Sequence, residues 1–178
     1  ADLFTGVYGV IGIQAALKMR AETGRGQEVD LALFDTLSAV LANQGLNYMV
    51  TGKSPKRRGN RHPNLVPYET YQCSDGHIII ATGNDRQFGL LCEVLGIPEI
   101  ATSPAFINNA ARVANLEEMA DVLNRATGAF TRLDLIDQLT ARGGPAGPIN
   151  AKEGGHAGPQ YLHRALRIEP EGGPGWGT

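Results

Sequence analysis

Apolar residues crowd the first helix-length stretch of the chain. Leu3, Phe4, Val7, Val10, Ile11, Ile13 and Leu17 surround the axis instead of lining one side, and polar side chains become frequent only from Lys18 onward. This pattern predicts a helix from about Leu3 to Thr23 that is buried all round. Asp2 stands before it as N-cap or first-turn residue, and either place favours a carboxylate. Gly24 suits the C′ position that ends the helix. Gly6, Gly9 and Gly12 recur at equal spacing inside it, each at a cost of roughly 1 kcal/mol of helix propensity against Ala. Such a stripe points to close approach by another element or by a ligand, and tight helix packing is the commoner cause.

From Gln27 to Leu33 the period changes. Val29, Leu31 and Leu33 alternate with Asp30 and Ala32, which is the repeat of a strand. Asp35 is then placed to cap a second helix to Thr51, with Leu37, Val40, Leu41 and Tyr48 near one face and Gly52 as its end. Residues 1–52 thus read helix, strand, helix, a piece of an α/β layer. One strand cannot close such a layer, so its partner strands are expected from outside this sequence.

Residues 53–67, KSPKRRGNRHPNLVP, read as a linker. It carries Lys53, Lys56, Arg57, Arg58, Arg61 and His62 with no acid, and its prolines keep it extended. A solvated connector is one reading, and a loop that meets phosphates or a carboxylate is the other. Tyr68 to Gly83 predicts a hairpin turning at Asp75-Gly76. Asp85 starts a helix with Phe88, Leu91, Cys92 and Leu95 on its core side, stopped by Gly96 and Pro98. Asn108 to Thr127 reads as mostly helical, with Val113, Leu116, Met119, Ala120 and Leu123 inward. Thr131 and Asp134 form a capping box for a helix that buries Leu133, Ile136 and Leu139 and ends at Gly143. Gly143–Asn150 is extended, Gln160–Arg164 makes a helical turn, and Ala165–Glu169 begins a strand. Residues 68–150 therefore read as a small α+β domain, and 151–178 as a return segment with a tail.

Composition narrows the function classes. With a net charge of -2 the 178-residue chain has no overall electrostatic affinity for nucleic acid. The first apolar run is about 15 residues, short of the roughly 20 that span a bilayer, so no membrane segment is expected. Cys73 and Cys92 form no C-x-x-C pair, which argues against structural zinc. They fit a reducing cytoplasm, or a mitochondrial matrix in a eukaryote, although a disulfide also fits the count. No Met opens the sequence and EPEGGPGWGT closes it, so a fragment of a longer chain is expected.

Few residues carry chemistry by spacing alone. Asp2 is a carboxylate at the mouth of an apolar helix, either a cap or a base or nucleophile. His62, set among cations, suits a neutral hydrogen-bonding imidazole or a plain loop position. His77 reads as structural, His156 and His163 lie in the weakly patterned end, and Asp30 and Asp35 read as turn and cap residues. The glycine stripe follows no strand, so it is not a dinucleotide fingerprint.

Further residues carry a resemblance. Asp2-Leu3-Phe4-Thr5-Gly6, Ala15-Ala16-Leu17, Thr23-Gly24-Arg25-Gly26-Gln27 and Val29-Asp30-Leu31-Ala32-Leu33 open it. Arg58-Gly59-Asn60, His62-Pro63-Asn64, Val66-Pro67-Tyr68, Asp75-Gly76, Gly83-Asn84, Gln87-Phe88, Asn109 with Arg112 and Asn115, and Gly147-Pro148-Ile149-Asn150 continue it. Over about residues 1–168 the chain resembles the class III CoA-transferases, the CaiB/BaiF group. The resemblance implies an α/β fold: the C-terminal portion of a Rossmann-like large domain (1–52), the linker, and the small α+β domain, in a protein that forms an interlocked homodimer. It implies transfer of CoA from an acyl-CoA to a carboxylic acid through an aspartyl-CoA thioester on Asp2, with acyl-CoA as substrate and no permanently bound cofactor or metal. It also implies that Gly59, Asn60 and His62 match a loop that approaches substrate in some members, although the glycine run of those members is absent here. Glu153-Gly154-Gly155-His156 departs from a segment that tends to be apolar in the family. The fragment alone is expected not to transfer CoA. A racemase or epimerase of the same family, using the aspartate as a base, and a non-catalytic CoA-binding module are the alternatives.

Overall fold

Helix α1 runs Asp2–Thr23 in the computed structural model, which describes residues 1–166. Asp2 falls in its first turn rather than at the cap, and Gly24 closes the helix in the left-handed region at φ 71°. The described chain is mixed helix and sheet and divides into two compact units, Ala1–Arg57 and the part from Arg58 onward.

In the first unit α1 is followed by α2 (Leu33–Ala39) and α3 (Ala42–Thr51). The expected single helix over 35–51 is two, broken where Ala42 adopts a positive φ of 48°. Asp35 lies in the first turn of α2 instead of capping it. The expected strand over 27–33 is not formed. A strand exists through its ladder of backbone hydrogen bonds, and among the described residues none pairs with this segment. It nevertheless packs on α1, which explains part of the glycine stripe: a Cβ on Gly12 would lie 2.8 Å from Val29 Cγ1, and one on Gly9 3.6 Å from Leu31 Cδ2. Nothing approaches Gly6. The expectation of a wholly buried α1 is corrected. No residue of the helix is buried, and Leu3, Val10 and Ile11 are 87%, 61% and 58% exposed.

The second unit has a core of its own. Strands β1 (Tyr68–Cys73) and β2 (Gly76–Ala81) form the expected antiparallel hairpin, and β3 (Ala146–Pro148) adds antiparallel to β2, giving the order β1-β2-β3. Pairing of Tyr71 with Ile78 and of Glu69 with Ile80 sets these residues on one buried face. Against the core pack α4 (Asp85–Val94), α5 (Pro98–Thr102), α6 (Asn109–Ala114), α7 (Leu116–Thr127) and α8 (Arg132–Ala141). Phe88, Leu91, Cys92 and Leu95 are buried as the helical period predicts. Thr131 caps α8 by accepting the Asp134 N–H.

Two core assignments fail. Val113 is exposed because Arg112, only 1% exposed, takes the inward position. Leu133 is exposed while Leu135 is buried in its stead. The helix expected over 108–127 breaks at Asn115, whose side chain donates back to the Ala111 and Ala105 carbonyls. Short helices α9 (Lys152–His156) and α10 (Pro159–His163) follow. Ala165 and Leu166 are not in a strand, and the rest of the strand expected over 165–169 lies outside the described residues. Among the described residues no helix is long and apolar enough to cross a membrane.

Candidate functional site

Asp2 has the simplest setting. It is exposed, its carboxylate neither caps the helix nor pairs with another described residue, and the unpaired N–H groups of the first turn surround it. Such a helix end favours a carboxylate by about 0.3–1 kcal/mol. Leu3 and Phe4 beside it stand open.

Gly59, Asn60 and His62 share one loop at the start of the second unit, which hydrogen bonds tie to that unit although Gly59 and Asn60 are exposed and His62 is only partly buried. Gly59 takes φ 65°, a left-handed turn with open space where a side chain would be. Asn60 clasps β1 twice, its Nδ2 donating to Thr70 Oγ1 at 2.7 Å and its Oδ1 accepting the Thr70 N–H at 3.3 Å. His62 Nδ1 accepts the N–H groups of Asn64 and Leu65, both at 3.1 Å. Its ring stacks on Tyr68 with centroids 5.0 Å apart. Val66 and Pro67 then enter the core.

Arg61 accounts for one loop charge. Its Nε meets Glu69 Oε2 at 2.7 Å and its Nη1 meets Glu117 Oε1 at 2.6 Å. Hydrogen bonds to Glu117 and Glu69 raise its pKa above the ordinary arginine value. Burial, with Glu69 beside it, raises the Tyr71 phenol. Arg61 is therefore committed to its own fold, whereas Arg57 and Arg58 form no ion pair among the described residues.

Spacing did not reveal what holds the loop. Asn109 Nδ2 donates to the Asn64 carbonyl at 2.8 Å, and Asn109 Oδ1 accepts the Val66 N–H at 3.1 Å. Arg112 donates from Nε to the Val66 carbonyl at 2.6 Å, from Nη1 to the Phe106 carbonyl at 3.0 Å, and from Nη2 to Asp85 Oδ1 at 2.7 Å. Its guanidinium also covers the Phe88 ring. The available signal was the run of Asn109, Arg112 and Asn115 at three-residue steps, polar side chains sharing one helix face.

Among the remaining histidines, His77 is exposed on β2 and His156 stacks on Tyr161 at 4.9 Å. Among the described residues no group of His, Cys, Asp or Glu is placed to hold a metal ion. Asp2 thus belongs to one unit, and the Gly59, Asn60 and His62 loop to the other.

Comparison with known proteins gives the geometry a context. The succinate–glutarate CoA-transferase of Agrobacterium fabrum is 46% identical over 171 residues, covering 96% of this chain and 43% of that protein. The acetyl-CoA:oxalate CoA-transferase of Acetobacter aceti is 38% identical over 149 residues, covering 84% and 38%. The crystal structure of a CAIB/BAIF family protein from Brucella suis superposes with a TM-score of 0.77 at 53% identity, covering 95% of this chain and 45% of that one. The chain therefore spans less than half the length of the relatives it matches. The profile described as CoA-transferase family III matches residues 1–175, and the chain belongs to that family.

Proposed function

We propose that the whole protein passes coenzyme A from an acyl-CoA donor to a small dicarboxylic acid, with Asp2 as nucleophile. The observation that carries this reading is the family match running through Asp2, an unpaired first-turn carboxylate. An Asp2 oxygen attacks the donor thioester carbonyl. The C–S bond breaks, CoA leaves as thiolate, and a mixed aspartyl anhydride remains. The thiolate then attacks the aspartyl carbonyl, releasing the donor acid and leaving an aspartyl-CoA thioester. The acceptor carboxylate attacks that thioester to form a second anhydride and thiolate. Attack of the thiolate on the acceptor carbonyl gives the new acyl-CoA and restores the Asp2 carboxylate. One thioester is exchanged for another, with no net proton or water.

The helix N-terminus suits this cycle, because it stabilises the carboxylate between turnovers. Apolar surface at Leu3 and Phe4 suits it too: an anhydride has to be kept from water, and a desolvated carboxylate is the better nucleophile. A dicarboxylate acceptor is supported by the names of the Agrobacterium and Acetobacter relatives and by the two unpaired arginines, Arg57 and Arg58. In this reading the loop of Gly59, Asn60 and His62 faces substrate, and the whole protein works as an interlocked homodimer without a resident cofactor.

The test is mass spectrometry of the full-length protein quenched in acid after mixing with succinyl-CoA. The peptide carrying Asp2 should gain the mass of CoA less one water. The adduct should be lost on hydroxylamine treatment and absent in Asp2→Asn. Turnover without an adduct, or turnover by Asp2→Asn, refutes the covalent route. With a chiral 2-methylacyl-CoA in place of succinyl-CoA, loss of α-configuration without an adduct would favour the racemase.

A further inference from the structure

His62 is held more firmly than a loop residue needs to be. Its Nδ1 accepts two backbone N–H groups, from Asn64 and Leu65. The His62 backbone N–H donates to the Tyr68 carbonyl at 2.9 Å. Its ring lies on Tyr68 with 19° between the planes. The backbone that aims those N–H groups is fixed in turn by Asn109 at Asn64 and Val66, and by buried Arg112 at Val66.

This arrangement determines the tautomer. A nitrogen that accepts two N–H groups offers its lone pair, so the ring proton sits on Nε2. Nε2 has no hydrogen-bond partner among the described residues, and it is not a buried unsatisfied atom. It is a single N–H donor of fixed direction that opens to solvent. An asparagine could organise the same turn through its Oδ1, so the turn alone leaves the second nitrogen without a use. A lone N–H donor of this kind suits a charged acceptor oxygen. Arg58, in the same loop, has no ion pair among the described residues, whereas the charge of Arg61 is met by Glu69 and Glu117.

We propose that His62 Nε2–H is a hydrogen-bond donor to a carboxylate oxygen of the acceptor acid, making His62 a residue of the acceptor site. This inference rests on the transfer reaction proposed above. The neutral imidazole orients the carboxylate and transfers no proton to it, in keeping with a cycle that balances without one.

Two substitutions in the full-length protein separate the two nitrogens. His62→Asn keeps an acceptor where Nδ1 was and removes the outward donor. His62→Gln keeps a donor near Nε2 and removes the acceptor that organises the loop. With glutarate as acceptor, His62→Asn should raise KM about ten-fold with a smaller change in kcat, the effect of one hydrogen bond to a charged group. His62→Gln should raise KM less and speed amide exchange at Asn64 and Leu65. In the wild-type protein, nitrogen NMR of the imidazole should show the Nε2–H tautomer and a shift at Nε2 on adding glutarate, with or without coenzyme A. A wild-type KM in His62→Asn, an Nδ1–H tautomer, or an Nε2 that ignores glutarate overturns the proposal. Absence of the Asp2 adduct would instead remove the transfer reaction, and the NMR titration would still decide whether Nε2 binds a carboxylate.

Discussion

Replacing Arg112 tests whether a single buried guanidinium holds the candidate loop to the second unit. Arg112 is 1% exposed and donates to two backbone carbonyls, Val66 and Phe106, besides Asp85. In Arg112→Ala both carbonyls lose their donor, at about 1–3 kcal/mol for each buried orphan. The Asp85 contact adds little, because its carboxylate is 57% exposed and surface ion pairs contribute only about 0–1 kcal/mol. The expected loss is therefore about 2–7 kcal/mol, a large part of the 5–15 kcal/mol typical of a folded domain. Asp85→Asn keeps an acceptor oxygen for Nη2 and should cost about 1 kcal/mol or less. Urea denaturation of the full-length protein, with hydrogen exchange at Val66, measures both. Equal losses in the two variants, or a loss under about 1 kcal/mol in Arg112→Ala, would show that the carbonyls find other donors and that Arg112 is no keystone.

Further outcomes follow from the same unit. Burial pushes the Cys92 thiol up to about 12 and raises Cys73 as well. At pH 8 a thiol with that Cys92 value is about 1 part in 10,000 thiolate, so peptide mapping after brief alkylation should find Cys92 unmodified until denaturant is added. Asp75 accepts the Arg132 N–H at 2.8 Å, and this bond, with the guanidinium beside it, holds the carboxyl below its usual range. Its folded pKa is thus lower than its unfolded value of about 3.9. The stability it contributes is present above that value and is lost as pH falls through the folded pKa. Asp75→Asn should therefore flatten the acid limb of stability, and an unchanged limb would show that the contact is not coupled to folding. Gly76 holds φ 143°, and a Cβ there would meet Arg132 Nε at 3.1 Å. Gly76→Ala should cost about 1–3 kcal/mol in urea, and no loss would mean that the turn relaxes freely.

Local signals were legible where one element decided its own geometry. The Asp75-Gly76 turn, the inward face of α4, and the Thr131 cap follow from turn chemistry, helical period and capping. The misreadings arise where a partner decides. Val29, Leu31 and Leu33 have strand period, yet a period does not supply the second strand that defines the ladder. Hydrophobicity ranks Val113 above its neighbour and so predicts it inward. Arg112 displaces it only because two carbonyls, a carboxylate and the Phe88 ring converge there. Nothing in residues 40–42 announces the break between α2 and α3. At the candidate site, Asp2 was visible as a charge at a helix end and no more. Its proposed role as nucleophile rests on the family pattern. His62 stood out by its charged surroundings, but its two-sided chemistry depends on Asn109 and Arg112, far along the chain.

The least protein-like feature of the first unit is the one the proposed reaction most needs. Leu3, Phe4, Val7, Val10, Ile11 and Ile13 stand open on a helix whose sequence calls for burial all round. Covering such surface is favourable by about 25 cal/mol per Å², so packing against α1 and the exclusion of water from its first turn are linked. Asp2 lies at the end of that surface, where burial alone would penalise its charge. The free N–H groups of the first turn offset part of that penalty. A carboxylate that is partly desolvated yet held ionised is a stronger nucleophile than one in water, and an anhydride formed on it is shielded from hydrolysis by the same cover. In this account the apolar period of α1 and the carboxylate at its head form one device, with the helix residues supplying the dry wall and Asp2 the reacting oxygen.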